Sequence, residues 1–479
     1  MESERIKLSL TGVDYIANKY SAKRYGGNRF LIVTDHGAWA ALSQQNYDLL
    51  RTGRVSENPI LFNVLESRGI ILTAENMGVI ANSYFRNYSH LYSGTSLHIV
   101  SPSLRCNHAC SYCFACAKPV GERGYDMDED VAKATVDFIF QTPAESVTIE
   151  ISGGEPLMNF PIVEYIVDYS KRLNRTSRKK IRYVLVTNLT LMDYDILKFV
   201  TDNEIIISTS LDGPREVHDR NRKYLSGAGS YSDVVYWLDT IRKDNMYGQV
   251  GALPVVTKHS LPYWREIVDE YLSHGLPTIR LKYLTMVGVA SNVWHKIGYS
   301  PADYLSFWKD SLDYILGLNR DGVEFNEGLT QVFLKKIIEG RNPNYCDLEM
   351  PCGAGISQLA YSHDGSIHTC DEGRSFDIFR LGSVLNDTYG GILSSQTVLD
   401  LVDISSGLSL LCSDCIWMPY CGVCPVWAFS ESQTPTPRIP VDFRCKVHSA
   451  ILDTLFKKLL CSEEDNRILR NWVASARPF

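Results

Sequence analysis

An α/β fold built on parallel strands is what this 479-residue sequence predicts, and three observations carry the expectation. Between about residues 96 and 320, short apolar runs alternate with helix-length stretches, the pattern of strands joined by helical crossovers. The expected strands are 97–101, 147–151, 181–186, 205–211, 249–255 and 278–284, with helices such as Asp130–Phe140 and Pro161–Leu173 between them. Four strands run into polar loops: the one after 101, Gly153–Pro156, Thr187–Asn188 and Ser210–Gly213. In α/β barrels chemistry gathers at the carboxyl ends of strands. Six such units are too few to close an eight-fold barrel.

Composition narrows the class. Hydrophobic residues make up 45% and charged residues 22% of the chain, ordinary for a globular protein. The length allows two to four domains. A net charge of −7 argues against a general nucleic-acid binder, which carries a basic face. The first residues, Met-Glu-Ser-Glu-Arg-Ile-Lys, lack the apolar core of a signal peptide. No apolar stretch reaches the ~20 residues that span a bilayer. The expectation is a cytoplasmic protein without membrane or nucleic-acid partners, in which 13 cysteines mean metal or redox chemistry rather than disulfides.

Taken in order, residues 1–95 form a small α+β unit without cysteine. Arg29–Thr34 reads as a strand, Asp35–Gly37 as a turn, and Ser43 as the cap of a helix running to Leu50. A second short helix ends at Val64–Gly69, and Ile70–Thr73 returns to strand.

The strand at 97–101 is followed by Cys106-Asn-His-Ala-Cys110-Ser-Tyr-Cys113, a C-x3-C-x2-C spacing. Thiolates hold iron–sulfur clusters, and a cubane has four irons to ligate. Three thiolates leave one iron open, and an open position separates a reactive metal site from a structural one. A zinc ion would need a fourth protein ligand, for which His108 inside the loop is a poor geometric candidate. After the second strand comes Ser152-Gly153-Gly154-Glu155-Pro156. Paired glycines let backbone approach a ligand, and the glutamate can accept from an ammonium group.

These two motifs, in this order and each after a strand, resemble the CxxxCxxC and GGEP motifs of radical S-adenosylmethionine (SAM) enzymes. The resemblance implies an open partial (β/α)6 barrel over 96–320. It implies a [4Fe–4S] cluster on Cys106, Cys110 and Cys113, with SAM on the open iron beside Gly153, Gly154, Glu155 and Pro156. Thr187, Asn188 and Ser210 are then expected at SAM ribose or carboxylate oxygens. Ser210-Leu-Asp212-Gly213-Pro214, with His218-Asp219-Arg220 after it, resembles a stretch of peptide-modifying members; Asp212 and Arg222 join the expected SAM contacts, with Arg220 or Arg222 gripping a carboxylate. The 1–95 unit is similar to peptide-recognition domains of ribosomal-peptide maturases, which add a leader peptide as an extra strand at a sheet edge.

A second cysteine field holds Cys346, Cys352, Cys370, Cys412, Cys415, Cys421, Cys424 and Cys445. Zinc knuckles stand ~15–20 residues apart, whereas five residues separate Cys415 from Cys421. The pattern resembles the SPASM extension, expected over 321–450 ahead of a C-terminal helix at 451–479. That match implies one auxiliary [4Fe–4S] cluster on Cys346, Cys352, Cys370 and Cys424. A second falls to Cys412, Cys415, Cys421 and Cys445, for three clusters in all. The chain departs from the family in having only Gly422 and Val423 between Cys421 and Cys424, where three residues are usual. Cys116 reads as a spare buried thiol and Cys461 as part of a terminal amphipathic helix. Asp371, directly after Cys370, resembles the general base of sulfatase-maturing relatives.

The motif runs are most similar to the maturase of the His-Xaa-Ser peptide system. Taken together they imply an oxidoreductase that abstracts a side-chain hydrogen from a ribosomally made precursor peptide and forms a cyclophane-type C–C or a thioether crosslink. An external electron donor such as flavodoxin or ferredoxin would serve it. Three alternatives stand beside this: a sulfatase-type maturase making formylglycine from Cys or Ser, a radical SAM enzyme on a small molecule, and a non-enzymatic zinc protein.

Overall fold

The computed structural model describes residues 14–243, 250–340, 346–407 and 411–474. The first seven residues, position 249 of the fifth expected strand and the last five positions of the expected terminal helix lie outside them.

The N-terminal unit opens with the two-residue strand β1 (Ile16–Ala17) and an antiparallel sheet of β2 (Tyr20–Tyr25), β3 (Arg29–Thr34) and β4 (Trp39–Ser43). Helices α1 (Gln44–Arg51) and α2 (Pro59–Ser67) follow, then β5 (Ile71–Leu72), which pairs with β1, and α3 (Met77–Asn87). Ser43 caps α1, accepting from the Asn46 N–H, and Asn58 caps α2. Leu42, Leu50, Leu61, Leu65 and Ile71 form this unit's own core.

The central sheet is built in chain order. β6 (Leu97–Ser103) leads into the short parallel pair β7 (Arg105–Cys106) and β8 (Lys118–Pro119), then α4 (Glu129–Ile139). Next come β9 (Ser146–Gly153), α5 (Phe160–Ser177), β10 (Lys180–Val186), α6 (Tyr194–Asp202) and β11 (Ile206–Ser210). Helices α7 (Arg215–Asn221) and α8 (Tyr231–Lys243) precede β12 (Val250–Leu253). Strands β6, β9, β10, β11 and β12 pair in parallel, neighbour to neighbour in sequence order. Residues on one face, among them Ile149, Ile151 and Leu185, pack on α4–α6 through Val136, Val163 and Val200.

The last two expected strands are broken. Pro254, which has no N–H to give, interrupts the fifth, which resumes as β13 (Val255–Val256). After α9 (Trp264–Ser273), the sixth splits into β14 (Thr278–Ile279) and β15 (Lys282–Tyr283), and β15 pairs in parallel with β13. The break has a cause in the hydrogen bonds: the Leu281 N–H donates to Glu327 Oε1 at 3.0 Å and its carbonyl accepts from the Tyr304 hydroxyl at 2.7 Å.

Helices α10 (Val289–Ile297) and α11 (Pro301–Arg320), the short strand β16 (Asn326–Glu327) and α12 (Gly328–Leu334) lead to the cysteine-rich region. There β17 (Gln358–Tyr361) joins the parallel sheet on the far side of β6, and β18 (Ser366–His368) and β19 (Arg380–Ser383) extend it antiparallel. Helices α13 (Tyr389–Leu393), α14 (Gln396–Ser405) and α15 (Pro425–Ser432) follow. α16 (Phe443–Cys461) is continuous across the boundary expected at 450/451, and α17 (Glu463–Ala474) follows it. α16 is the axis of the largest core, burying Val447, Ile451, Leu455 and Phe456.

The N-terminal unit docks on this axis. Leu31 and Val33 are buried in the main core, and Trp39 packs edge-on against Phe456. Asp453 of α16 accepts from Lys23 Nζ at 2.5 Å and from the Tyr25 hydroxyl at 2.9 Å, and pairs with Lys457 at 2.8 Å. Burial alone would raise this carboxyl; the bonds from Lys23, Lys457 and Tyr25 outweigh it and hold it below its ordinary value. A depressed carboxyl stabilises the fold above its unfolded value, ~3.9, and that contribution is lost as pH falls through the folded value. Asp453→Ala should weaken docking by about 1–3 kcal/mol, read as faster proteolytic release of the N-terminal unit at pH 7. The difference from wild type should shrink below pH 4. Equal protection at pH 7 would leave docking to the apolar contacts alone.

Candidate active site

The cysteine loop lies against the turn after β9 with no room for a side chain between them. The Gly154 N–H donates to the Ser103 carbonyl at 2.9 Å and the Glu155 N–H to the Arg105 carbonyl at 2.8 Å. A Cβ on Gly154 would sit 2.4 Å from the Arg105 oxygen, and one on Gly153, where φ is +129°, 2.4 Å from the Ser103 oxygen. Only glycine fits here. On its other side the loop is held by Gly288, whose Cβ would lie 2.5 Å from the Cys113 and Phe114 oxygens, and by the Val289 N–H on the Cys113 carbonyl at 2.9 Å.

Glu155 is 1% exposed, and its oxygens already accept from the Thr187 hydroxyl at 2.6 Å, the Asn188 N–H at 2.8 Å and the Leu157 N–H at 3.1 Å. Burial pushes this carboxyl up to about 7 against those donors. It braces the rim rather than offering a free acceptor. Thr187 is correspondingly engaged, and Asn188 donates to Asn107 Oδ1 at 2.9 Å and approaches Cys106 Sγ at 3.8 Å, tying the third rim loop to the first. Pro156 starts the short turn that follows. Ser210 lines the central cavity; Asp212 does not.

Asp212 is fully buried, and its carboxylate accepts from the Tyr112 hydroxyl at 2.6 Å, Asn221 Nδ2 at 3.1 Å, Arg222 Nε at 3.1 Å and the Val255 N–H at 3.1 Å. With every oxygen engaged by protein, Asp212 is a buried clasp, which corrects its expected place among the cofactor contacts. Arg222, held by it, reaches the cavity and Cys110. Arg220 does not line that cavity.

The thiols fall into three neighbourhoods. Cys106, Cys110 and Cys113 interact with one another. Cys346 lies 3.7 Å from Cys352, sulfur to sulfur, and interacts with Cys370, which in turn interacts with Cys352 and Cys424. Cys412, Cys415, Cys421 and Cys445 form the third set. Backbone N–H groups of His108, Gly373 and Trp427 point at the sulfurs of Cys106, Cys370 and Cys424 at 3.3–3.4 Å. Burial pushes the Cys110, Cys412 and Cys421 thiols up to about 12. A bound metal reverses that by taking the deprotonated form outright. Among the described residues no three His, Cys, Asp or Glu side chains converge on one ion position. Thiols grouped more widely, with N–H donors on the sulfurs, fit a cubane that gives each thiolate its own iron.

The shortened spacing at Cys424 is accommodated: this residue begins α15 and borders both the central cavity and a smaller one around the third thiol set. Lys336, buried and lowered to about 8 by desolvation, donates to the Leu348 carbonyl and to that of Cys421 at 3.4 Å, joining the two auxiliary loops. Cys116 is exposed, with φ +49°, so the expectation of a buried thiol fails; Pro119, two residues beyond Ala117, and the chain's return to β8 carry it outward. Cys461, the last residue of α16, is exposed too.

The first two thiol sets face a common cavity of about 880 Å³. Asp371 lines it beside Cys370. Its Oδ1 accepts from Arg374 Nε at 3.0 Å and from Nη2, and no hydrogen bond reaches Oδ2 among the described residues. Glu372 pairs with Lys282 at 3.3 Å. Residues missed from the sequence are Gly288, Lys282, Arg374 and Glu150. Glu150 carried a usable signal: it is a lone charge in the apolar strand Val147–Ile151, at the parity of Ser152, which also faces the cavity.

With this geometry in hand, comparison with known proteins gives a consistent result. The radical SAM superfamily profile matches residues 100–289. A cysteine-type anaerobic sulfatase-maturating enzyme of Clostridium perfringens is 24% identical over 379 residues, covering 76% of this chain and 97% of its own. A serine-type counterpart from Bacteroides thetaiotaomicron is 24% identical over 361 residues, 71% of this chain and 84% of that one. Among solved structures, anSMEcpe with bound AdoMet superposes with a TM-score of 0.66 at 20% identity, over 78% of this chain and 99% of that one. SuiB of Streptococcus suis, bound to its precursor peptide SuiA, superposes with a TM-score of 0.54 at 13% identity, over 88% and 98%. At those identities the structures speak to the fold. The α/β radical SAM fold and the enzyme class expected from the sequence therefore stand, and the match implies SAM and a [4Fe–4S] cluster.

Anaerobically reconstituted protein should hold about twelve irons, three clusters of four. Replacing Cys106, Cys110 and Cys113 together by alanine should leave about eight irons and abolish SAM cleavage. Full iron with intact cleavage in that variant would remove these three thiols from the site.

Proposed function

We propose that this chain is a peptide maturase that oxidatively crosslinks a ribosomally made precursor, by a C–C or thioether bond. The observation that carries the reading is the N-terminal unit. Its sheet has two outer strands, β2 and β4, each with no strand paired to its outer edge among the described residues, and the unit is docked beside the cysteine-rich end. A sheet edge of this kind can take an extended peptide as an added strand. The sulfatase-maturating structure is covered almost entirely by 78% of this chain, so about a fifth of the chain lies beyond it.

When bound, SAM and its cluster supply a carbon radical able to take a side-chain hydrogen. The chain's own residues do the rest. Cys346, Cys352, Cys370 and Cys424 would hold one auxiliary cluster and Cys412, Cys415, Cys421 and Cys445 the other. Gly153 and Gly154 bring the backbone to the cofactor, with Ser210, Asn188 and Arg222 around it. Asp371, oriented by Arg374 through Oδ1, takes on Oδ2 the proton that leaves the substrate as it is oxidised, and the auxiliary clusters would accept the electron that leaves with it. The mostly apolar cavity wall limits water around the reacting carbon. Reduced flavodoxin or ferredoxin is the proposed electron donor and the cytoplasm the proposed setting; among the described residues no helix is long and apolar enough to cross a membrane. The His-Xaa-Ser system is the proposed peptide class.

A second reading, conversion of Cys or Ser to formylglycine, is favoured by the 24% identity that runs over 97% of a sulfatase-maturating enzyme. Anaerobic co-expression with short peptides encoded beside the gene, followed by mass spectrometry, separates the two. A crosslinked peptide lighter by two hydrogens supports the first; conversion of a sulfatase-type Cys or Ser peptide, with the short peptides untouched, overturns it. Deleting residues 1–95 is a poor test, because it would uncover the apolar partners of Leu31, Val33 and Trp39. Hydrogen exchange is better: the precursor should slow the amides of β2 or β4, and no slowing would make the unit a structural cap. Asp371→Asn should keep iron content and hydrogen abstraction while product falls by ~10²–10⁴-fold. Near-normal product would exclude Asp371 and turn attention to Glu372.

A further inference from the structure

We propose that Glu150 forms an anionic subsite in the cavity wall, one that receives a protonated amine or guanidinium group of the substrate. That this group belongs to a peptide side chain rests on the reading above.

Four carboxylates line the cavity wall, Glu150, Glu155, Asp371 and Glu372, of which Glu155 is already saturated by uncharged protein donors. Two are matched by protein cations: Asp371 by Arg374, and Glu372 by Lys282 at 3.3 Å. Glu150 is the acid left over. No hydrogen bond or ion pair reaches its carboxyl among the described residues, although Lys282 and Arg374 lie near enough to be felt.

Glu150 stands on β9, in the middle of the parallel sheet, three residues before Gly153 and on the inward side. Its immediate neighbours in the strand, Ile149 and Ile151, point the other way into the core. Glu150 is half-buried, lines the cavity and lies close to Asp371 and Arg374 of the turn after Cys370. Burial, with the charge of Asp371, pushes its carboxyl up to about 7. An unmatched buried carboxylate is costly, and an incoming cation relieves that cost where a neutral group does not. Arg222 is already committed to Asp212. Lys296, the remaining cavity cation, is exposed.

The test uses full-length, anaerobically reconstituted protein with SAM bound, and two probes of one shape, N-acetyl-lysine N-methylamide and its norleucine analogue. Calorimetry should give about a tenfold preference for the lysine probe in the wild type, a comparison that needs no variant. Glu150→Gln should abolish that preference while iron content and SAM affinity stay as in wild type. Equal binding of the two probes by wild type, or a preference that survives Glu150→Gln, would overturn the proposal. So would a tenfold loss of SAM affinity in Glu150→Gln, which would assign the carboxylate to the cofactor. Both arms read binding, so failure to find a modified peptide would count against the peptide reading and not against this subsite.

Discussion

The contact on which the site depends is backbone on backbone: the Gly153–Gly154 turn pressed onto the carbonyls of Ser103 and Arg105. Because β6 and β9 are neighbours in the sheet, the loops that leave them emerge side by side, and the absence of side chains at two positions lets them fuse into one rim. Glu155 then reaches across to Thr187 and Asn188 after β10, and Asn188 reaches back to Asn107 in the cysteine loop. Three consecutive strand ends are thereby locked to one another. Three thiols held on such a frame have fixed spacing before any metal arrives, which is what preorganisation of a metal site requires.

Legibility from sequence followed locality. The strands β6, β9, β10 and β11 were readable because each is a short apolar run and helix-length segments alternate with them. The rim motifs were readable because their chemistry is compressed into three to eight residues. What could not be read was long-range. β17 adds to the sheet beside β6 from more than 250 residues away, sealed by His98 Nδ1 and the Tyr361 hydroxyl at 2.8 Å. The split of 278–284 depends on Glu327, whose role appears only when α12 is folded over it. Asp212 was misread for a related reason: a carboxylate in a polar loop looks like a ligand until Tyr112, Asn221 and Arg222 close on it from separate segments. A local pattern names the residue type, while distant donors decide whether the group is free.

The acids of the cavity and the one buried behind it differ in the same way. Glu155, on the cavity wall, and Asp212, behind it, are saturated by protein donors and hold the frame. Glu372 and Asp371 are each matched by a cation, yet Oδ2 of Asp371 receives no hydrogen bond among the described residues because both arginine bonds fall on Oδ1. Glu150 receives no hydrogen bond or ion pair among the described residues, only the more distant charges of Arg374 and Lys282. Four cavity carboxylates and the buried Asp212 behind them thus differ by how many lone pairs the protein has already used.

That logic extends to the docked N-terminal unit. It touches the third thiol set directly: Lys19 Nζ donates to the Ser413 carbonyl at 3.0 Å, next to Cys412, and the Tyr420 hydroxyl donates to the Gly37 carbonyl at 2.9 Å, next to Cys421. Trp417, between Cys415 and Cys421, stacks on Phe456, against which Trp39 also packs. The N-terminal sheet, proposed to take a peptide at its edge, and the loop that would hold the outer cluster therefore share one apolar foundation on α16. A shift of either is resisted by the same buried contacts, so a peptide held on that sheet would be fixed relative to the cysteine-rich end by packing rather than by a linker.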